Sequence, residues 1–254
     1  VCLILLAWHA HPEYPLVVAA NRDEMHARPS APAGFWEDRP DILGGRDLEQ
    51  MGTWLGISRA GKFAAVTNFR DPEGVAGGTV SRGLLSSRYL GNGESAAAFA
   101  GALERNGGEY RAFNFLAGDS DELWWVSNRA GGAQRLEPGV HGLSNHLLDT
   151  PWPKVARGKE RLALALERSP AVDSLMALLA DTSIAPDAEL PDTGVGLERE
   201  RALSAARIVS PVYGTRCSTV LLLDRSGRVR FAERPFDVEG NEGTTVQFEL
   251  RLAA

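Results

Sequence analysis

The chain has 254 residues, 44% of them hydrophobic, which supplies a packed core and excludes both a disordered tail and a peptide-sized scaffold. Its 33 acidic residues outnumber 27 lysines and arginines for a formal charge of −6, so no excess positive charge is available for nucleic acid. Two cysteines cannot build a disulfide framework and suit a reducing compartment, so a cytoplasmic location is expected.

Residues 2–8 and 16–20 are apolar runs of strand length on either side of a turn that contains His9, His11 and Pro12. The first run has no basic flank and is too short for a signal peptide, so it reads as a strand and not as an export signal. A second hairpin is predicted over residues 53–58 and 63–69, around Arg59-Ala60-Gly61-Lys62. Gly44-Gly45 and Gly74-Val75-Ala76-Gly77-Gly78 lack the spacing of a phosphate cradle and read as turns. Ser81 is placed to cap a helix carrying Leu84, Leu85, Tyr89 and Leu90, and residues 94–104 form an alanine-rich helix with Phe99 and Leu103 on one face.

Strands follow at residues 113–117 and 123–126. Helices open at Pro153, through Val155, Leu162, Leu164 and Leu166, and at Pro170, through Val172, Leu175, Leu178 and Leu179. Residues 183–196 read as a loop and 197–206 as a short helix. Strands at 218–223 and 229–233 pair across Asp224-Arg225-Ser226-Gly227, and 244–252 closes the series. No segment approaches the roughly 20 apolar residues that cross a bilayer, so no transmembrane segment is expected. Hairpins at both ends with helix pairs between them point to an α+β sandwich of mostly antiparallel sheets, and no linker divides residues 1–254 into more than one domain.

Cys2 is the first candidate for chemistry. A cysteine one residue from the start becomes the N-terminus when that residue is removed, and an α-amine of pKa about 7.7–8.0 is a fitting base for its own thiol. The bland reading is a small buried hydrophobe on a first strand. Asn21-Arg22-Asp23-Glu24 ends the second apolar strand; if the opening strands pair, Arg22 stands ready to stabilise a thiolate and Asp23 to hold an ammonium. Asn68 and Asn145 are amides at strand ends, suited either to an oxyanion or to capping their own backbone. Arg216 opens a late β-run from which a guanidinium could enter a cleft, and Cys217 beside it reads as packing. His9 and His11 share a face without a third metal ligand, and His26, His141 and His146 read likewise as surface residues.

The chain resembles the NRDE family, called transport and Golgi organisation protein 2 in eukaryotes. The resemblance spans most of its length and rests on six motifs besides the Asn21-Arg22-Asp23-Glu24 tetrad. These are Gly45-Arg46-Asp47-Leu48-Glu49, Gly52-Thr53-Trp54-Leu55-Gly56, Thr67-Asn68-Phe69-Arg70, Ser81-Arg82-Gly83, Leu143-Ser144-Asn145 and Gly214-Thr215-Arg216. In layout the family is similar to N-terminal nucleophile hydrolases of the cysteine branch, which includes bile salt hydrolases and penicillin V acylases. That resemblance implies a four-layer αββα sandwich with Cys2 as nucleophile, its own amine as base, Asp23 orienting the amine, and Asn68 and Asn145 forming the oxyanion hole. It also implies that Arg216 is the late arginine of the site. The hydrolases carry an arginine two residues further from their aspartate, whereas here Arg22 adjoins Asp23. Neighbouring strand residues face opposite ways, which leaves Asn21 as the residue beside Asp23. Family members ordinarily begin Met-Cys; Val1 reads as an alternative start codon decoded as methionine, and a retained valine would block the N-terminal mechanism.

Two functions from different classes follow. The first is hydrolysis of a carbon–nitrogen amide bond in a small acylated substrate, with no cofactor required. The second is non-catalytic binding or trafficking of haem or lipid, as implied by the phenotypes linked to eukaryotic members; a histidine would then supply an axial nitrogen to haem.

Overall fold

In the strand Leu3–Trp8 (β1), Ile4, Leu6 and Trp8 point to one side and Leu3, Leu5 and Ala7 to the other, and all six are buried. A strand covered on both faces belongs inside a stack of layers. The computed structural model describes residues 2–70 and 78–252; Gly74 to Gly77 of the second glycine-rich stretch lie outside the described residues. After β1 come β2 (Leu16–Met25), β3 (Ser30–Phe35), β4 (Ile42–Asp47), β5 (Leu55–Ser58) and β6 (Phe63–Asn68). Two helices follow, α1 (Gly83–Leu90) and α2 (Ala96–Asn106), then β7 (Phe113–Gly118), β8 (Leu123–Ser127), β9 (Gln134–Arg135) and β10 (Gly139–Leu143). The remainder is α3 (Pro153–Leu166), α4 (Val172–Leu179), α5 (Leu197–Leu203), β11 (Tyr213–Leu223), β12 (Arg228–Pro235) and β13 (Val246–Arg251).

The strands form two antiparallel sheets, one ordered β10-β1-β2-β11-β12-β13 and the other β3-β4-β5-β6-β7-β8-β9. Between them, Ile4, Leu6, Val18, Leu221 and Phe231 of the first sheet meet Leu43, Ile57, Phe63 and Leu116 of the second. The outer face of the first sheet packs Leu3, Leu5 and Val17 against Val155, Leu162 and Leu175 of α3 and α4. The outer face of the second packs Ala64, Phe113 and Phe115 against Leu85, Tyr89 and Phe99 of α1 and α2. Each fully buried Leu or Phe contributes roughly 1.5–3 kcal/mol, so three separate apolar seams hold four layers together. The order helix, sheet, sheet, helix is the αββα sandwich expected.

Several elements differ from their expected form. Strands β3, β4 and β10 were not legible because Pro32, Gly34, Gly44, Gly45, Gly139 and Gly142 break their apolar pattern, and β9 was not because its two residues are polar and exposed. Pro32 is tolerated because β3 is an edge strand. Gly44 and Gly45 lie inside β4 and are not a turn: a Cβ on Gly44 would stand 2.6 Å from the Leu55 carbonyl oxygen of β5. The tetrad does not end β2, which continues to Met25. Helix α1 begins after Arg82 without a side-chain cap, so Ser81 is not its cap, whereas Pro153 opens α3 as expected. Among the described residues no helix is long and apolar enough to cross a membrane.

Candidate active site

The pairing of β1 with β2 sets Leu3 opposite Asn21, which brings Cys2, just before β1, to the tetrad. On the other side β2 pairs with β11, with Asp23 opposite Thr215. The residues of the tetrad then divide between the two faces of the sheet. Asn21 and Asp23 turn toward the helix layer. The Asn21 amide donates to the Leu179 and Ala206 carbonyls at 2.9 and 2.7 Å and accepts from the Ser218 hydroxyl at 2.5 Å, so it fastens α4 and the segment before β11 to the sheet. Asp23 Oδ1 accepts a 2.6 Å hydrogen bond from Thr215, whose oxygen is itself held by the Ile208 N–H. Arg22 turns inward between the sheets, stacks 4.2 Å from the centroid of Trp54 and stands 3.8 Å from Asp47. Both Arg22 and Asp23 nevertheless reach the wall of one cavity of about 330 Å³, which also holds Cys2, Thr67 and Asn68. Asn21 is not on that wall.

Asn68 and Asn145 meet behind the cavity. The Asn145 amide nitrogen donates to both the backbone oxygen and Oδ1 of Asn68, at 2.9 and 2.8 Å, so both of its hydrogens are committed. With its oxygen taken, Asn68 keeps its own amide nitrogen as the donor on the wall, while Asn145 is fully buried and does not line it. The Ser144 hydroxyl donates to the Cys2 carbonyl at 2.9 Å, and Thr67 donates to the Ser144 carbonyl at 2.7 Å. The end of β6 and the turn after β10 are thereby sewn to the start of β1. Of the two amides expected at an oxyanion hole, Asn68 lines the cavity and Asn145 fixes its orientation from behind.

Arg216 is directed elsewhere. Its Nη1 donates to the carbonyls of Met25, His26 and Arg28 at 3.0–3.1 Å, closing the turn after β2, and it does not line the cavity. The wall carries Arg22, Arg28, Arg82 and Arg111 instead. Sequence reasoning did not single out Arg28, Arg82, Arg111, Trp54, Thr215 or Lys154 as site residues. Ser81-Arg82-Gly83 was a family signature, but its apolar spacing spoke only for a helix start. Lys154 had a signal of its own: it follows the opening proline of α3, where a cation opposes the helix dipole.

Burial dominates the electrostatics. It raises the Cys2 thiol, opposed by a backbone hydrogen bond from Asp23 and by the Arg22 charge. It raises Asp23, opposed by Lys154 and by the Thr215 hydroxyl. It lowers Lys154 to about 8 against the attraction of Asp23; the ammonium is 3% exposed and has no hydrogen-bond partner among the described residues. Cys217 is buried with Sγ 3.5 Å from Glu233, and burial beside that carboxylate pushes its thiol well up.

None of the five histidines lines the cavity. His141 pairs with Asp149 at 2.8 Å, His146 with Thr150 at 2.9 Å, and His26 with the Ser210 carbonyl at 3.0 Å. His11 accepts from the Glu13 N–H, and His9 lies against Trp8 at a positive φ of 45°. No group of three or more His, Cys, Asp or Glu side chains among the described residues is arranged for a metal ion.

The fold is shared with two solved hydrolases. A C2A mutant of the conjugated bile acid hydrolase from Clostridium perfringens superimposes with a TM-score of 0.52 at 9% identity, covering 98% of this chain and 92% of that one. The Caenorhabditis elegans orthologue of N-acylethanolamine-hydrolyzing acid amidase gives 0.51 at 11% identity, covering 87% and 92%. At such identities the likeness speaks for the fold alone. In sequence, the human Transport and Golgi organization protein 2 homolog is 36% identical over 275 residues, covering 98% of this chain and 99% of its own. Residues 1–238 match the family model described as Transport and Golgi organisation 2, and the chain belongs to that family.

Proposed function

We propose that the protein is a cysteine amidohydrolase that cleaves a carbon–nitrogen amide bond of a small acylated substrate once residue 1 has been removed. The observation that carries this reading is the convergence of Cys2, Asp23 and Asn68, from three separate strands or strand ends, on one cavity. The freed α-amine takes the thiol proton, and the thiolate attacks the amide carbonyl. The negative charge that develops on the carbonyl oxygen meets the Asn68 amide, whose direction Asn145 sets. The ammonium returns its proton to the departing amine and leaves a thioester. Water activated by the same amine then hydrolyses the thioester and restores the thiol. Asp23, braced by Thr215, steadies the ammonium, and Arg22 supplies positive charge beside the sulfur. For a haem ligand, none of the five histidines lines the cavity among the described residues, so no axial nitrogen comes from its wall.

The test is a mass measurement of the mature chain followed by alkylation and turnover. In protein that starts at Cys2, this thiol alkylates faster than Cys217 near neutral pH. Cys2→Ser abolishes hydrolysis across an acyl-amide panel without unfolding the protein, and Cys217→Ser leaves it largely intact. Asn68→Ala lowers kcat by about 10²–10³-fold, the loss expected for one oxyanion donor. Slow alkylation of Cys2 in the processed protein, together with no Cys2-dependent hydrolysis, would remove the enzyme reading and leave only the fold.

A further inference from the structure

The charges on the cavity wall are unevenly neutralised. Arg28 gathers Asp47 at 2.6 Å, Glu49 at 3.4 Å and Glu24 at 3.9 Å, and Arg22 shares Asp47 at 3.8 Å. Asp23 turns toward Thr215. Among the described residues that accounts for the four carboxylates of the wall, and it leaves Arg82 and Arg111 with no ion pair there. Arg82 spends one nitrogen on the Ala112 carbonyl at 2.9 Å, and Arg111 is exposed with no side-chain hydrogen bond among the described residues. Burial lowers the Arg82 pKa, the Arg111 and Arg28 charges push the same way, and the Cys2 sulfur and the Glu24 carboxylate, which forms no ion pair with Arg82, oppose it only from a distance. A third charge lies behind them: the Arg22 side chain is 4% exposed, and its buried Nη1 has no hydrogen-bond partner among the described residues. Helix α1 starts at this wall with Gly83 and has no acidic residue in its first turn. Like charges kept together without a counter-ion cost energy that an anionic ligand recovers through charge-assisted hydrogen bonds.

We propose that Arg82 and Arg111, backed by the buried charge of Arg22, form a carboxylate subsite next to Cys2, and that the substrate is an N-acylated amine bearing a carboxylate. The subsite deepens the hydrolytic reading and rests on it for the position of the scissile bond, but binding at the arginines is measurable without turnover. Trp54 and Val66 provide apolar wall for the acyl part.

The experiment uses the full chain with Cys2→Ala, which removes turnover, and measures Kd by calorimetry for N-octanoylglycine and for the neutral N-octanoylglycinamide. The carboxylate is expected to bind at least about tenfold more tightly, the scale of a charge-assisted hydrogen bond, and the preference falls as ionic strength rises. Arg82→Gln and Arg111→Gln each erase most of that preference while changing the glycinamide Kd less than about twofold. Arg82→Gln also loses the bond to Ala112; if that variant unfolds, Arg111→Gln, on an exposed side chain, decides alone. Equal affinities, including no binding of either compound, overturn the subsite, as does a preference that survives Arg111→Gln. A preference erased by these substitutions, in a protein whose intact Cys2 hydrolyses neither compound, supports the subsite while rejecting the hydrolytic reading.

Discussion

Lys154 is the residue in which the cost of the site is most visible. Its ammonium is buried without a hydrogen bond among the described residues, and burial lowers its pKa to about 8 although the charges of Asp23 and Cys2 pull the other way. The sign of the coupling follows. Below pH 8 the lysine is charged and favours both the Cys2 thiolate and the Asp23 carboxylate; above it that help is lost. The pH profile of Cys2 alkylation is therefore expected to flatten above about pH 8. Lys154→Met removes this feature and slows alkylation several-fold at pH 7, because Cys2 and Asp23 both lose a positive neighbour. An unchanged profile would show that the lysine acts on packing alone. Asn68, Asn145 and Asp23 were legible as candidates because polar groups at the ends of apolar strands are conspicuous. The division between a donor and its positioning partner was not, because which amide keeps a free hydrogen depends on contacts made 77 residues apart.

At the scale of elements, β4 shows how a motif acts through geometry. A Cβ on Gly45 would stand 2.2 Å from the Trp54 ring and 3.2 Å from a Glu233 oxygen, and the Arg22 guanidinium stacks over that same ring. Glycine at 45 thus lets Trp54 lie where it can hold Arg22 against the cavity. Gly45→Ala is expected to destabilise by about 1–3 kcal/mol, the cost of overpacking. It should also change the near-ultraviolet dichroism of tryptophan and slow Cys2 alkylation. Gly34→Ala, one strand away with nothing within 4 Å, is the control and leaves all three unchanged. Sequence patterning identified β1 and β11 by their long apolar runs, and β6 and β12 by short apolar stretches next to the turns Arg59-Ala60-Gly61-Lys62 and Asp224-Arg225-Ser226-Gly227. It missed β4 because its glycines answer to the ring and backbone of β5, which no local pattern records.

Across the whole molecule the layers are tied at the site by a buried ion pair. Arg70, just past β6 of the second sheet, meets Glu200 of α5 at 2.5 Å with side chains 7% and 4% exposed, and its backbone N–H donates to the Asn145 carbonyl at 2.7 Å. Burial lowers the Arg70 pKa, and Glu200 opposes that shift. Glu200→Ala strands the guanidinium and is expected to cost about 3–5 kcal/mol in denaturant unfolding, with a loss of any Cys2-dependent turnover. Glu200→Gln keeps one acceptor oxygen, enough for either Arg70 or Thr193 but not both, and costs less than Glu200→Ala. Equal stability of Glu200→Ala and the unmodified protein would mean that the pair contributes nothing net.

The sequence by itself determined the layered α+β class, the pairing of the opening strands and the candidate residues Cys2, Asp23, Asn68 and Asn145, because strand periodicity and polar residues at strand ends are local signals. Only the tertiary structure decided that Arg216 closes a turn while Arg82 and Arg111 face the cavity, that Asn21 anchors a helix, and that Lys154 stands behind Asp23. Those assignments depend on which face of a sheet meets which layer and on where charges find partners. Both are properties of contacts between residues distant in the chain, which local pattern does not encode.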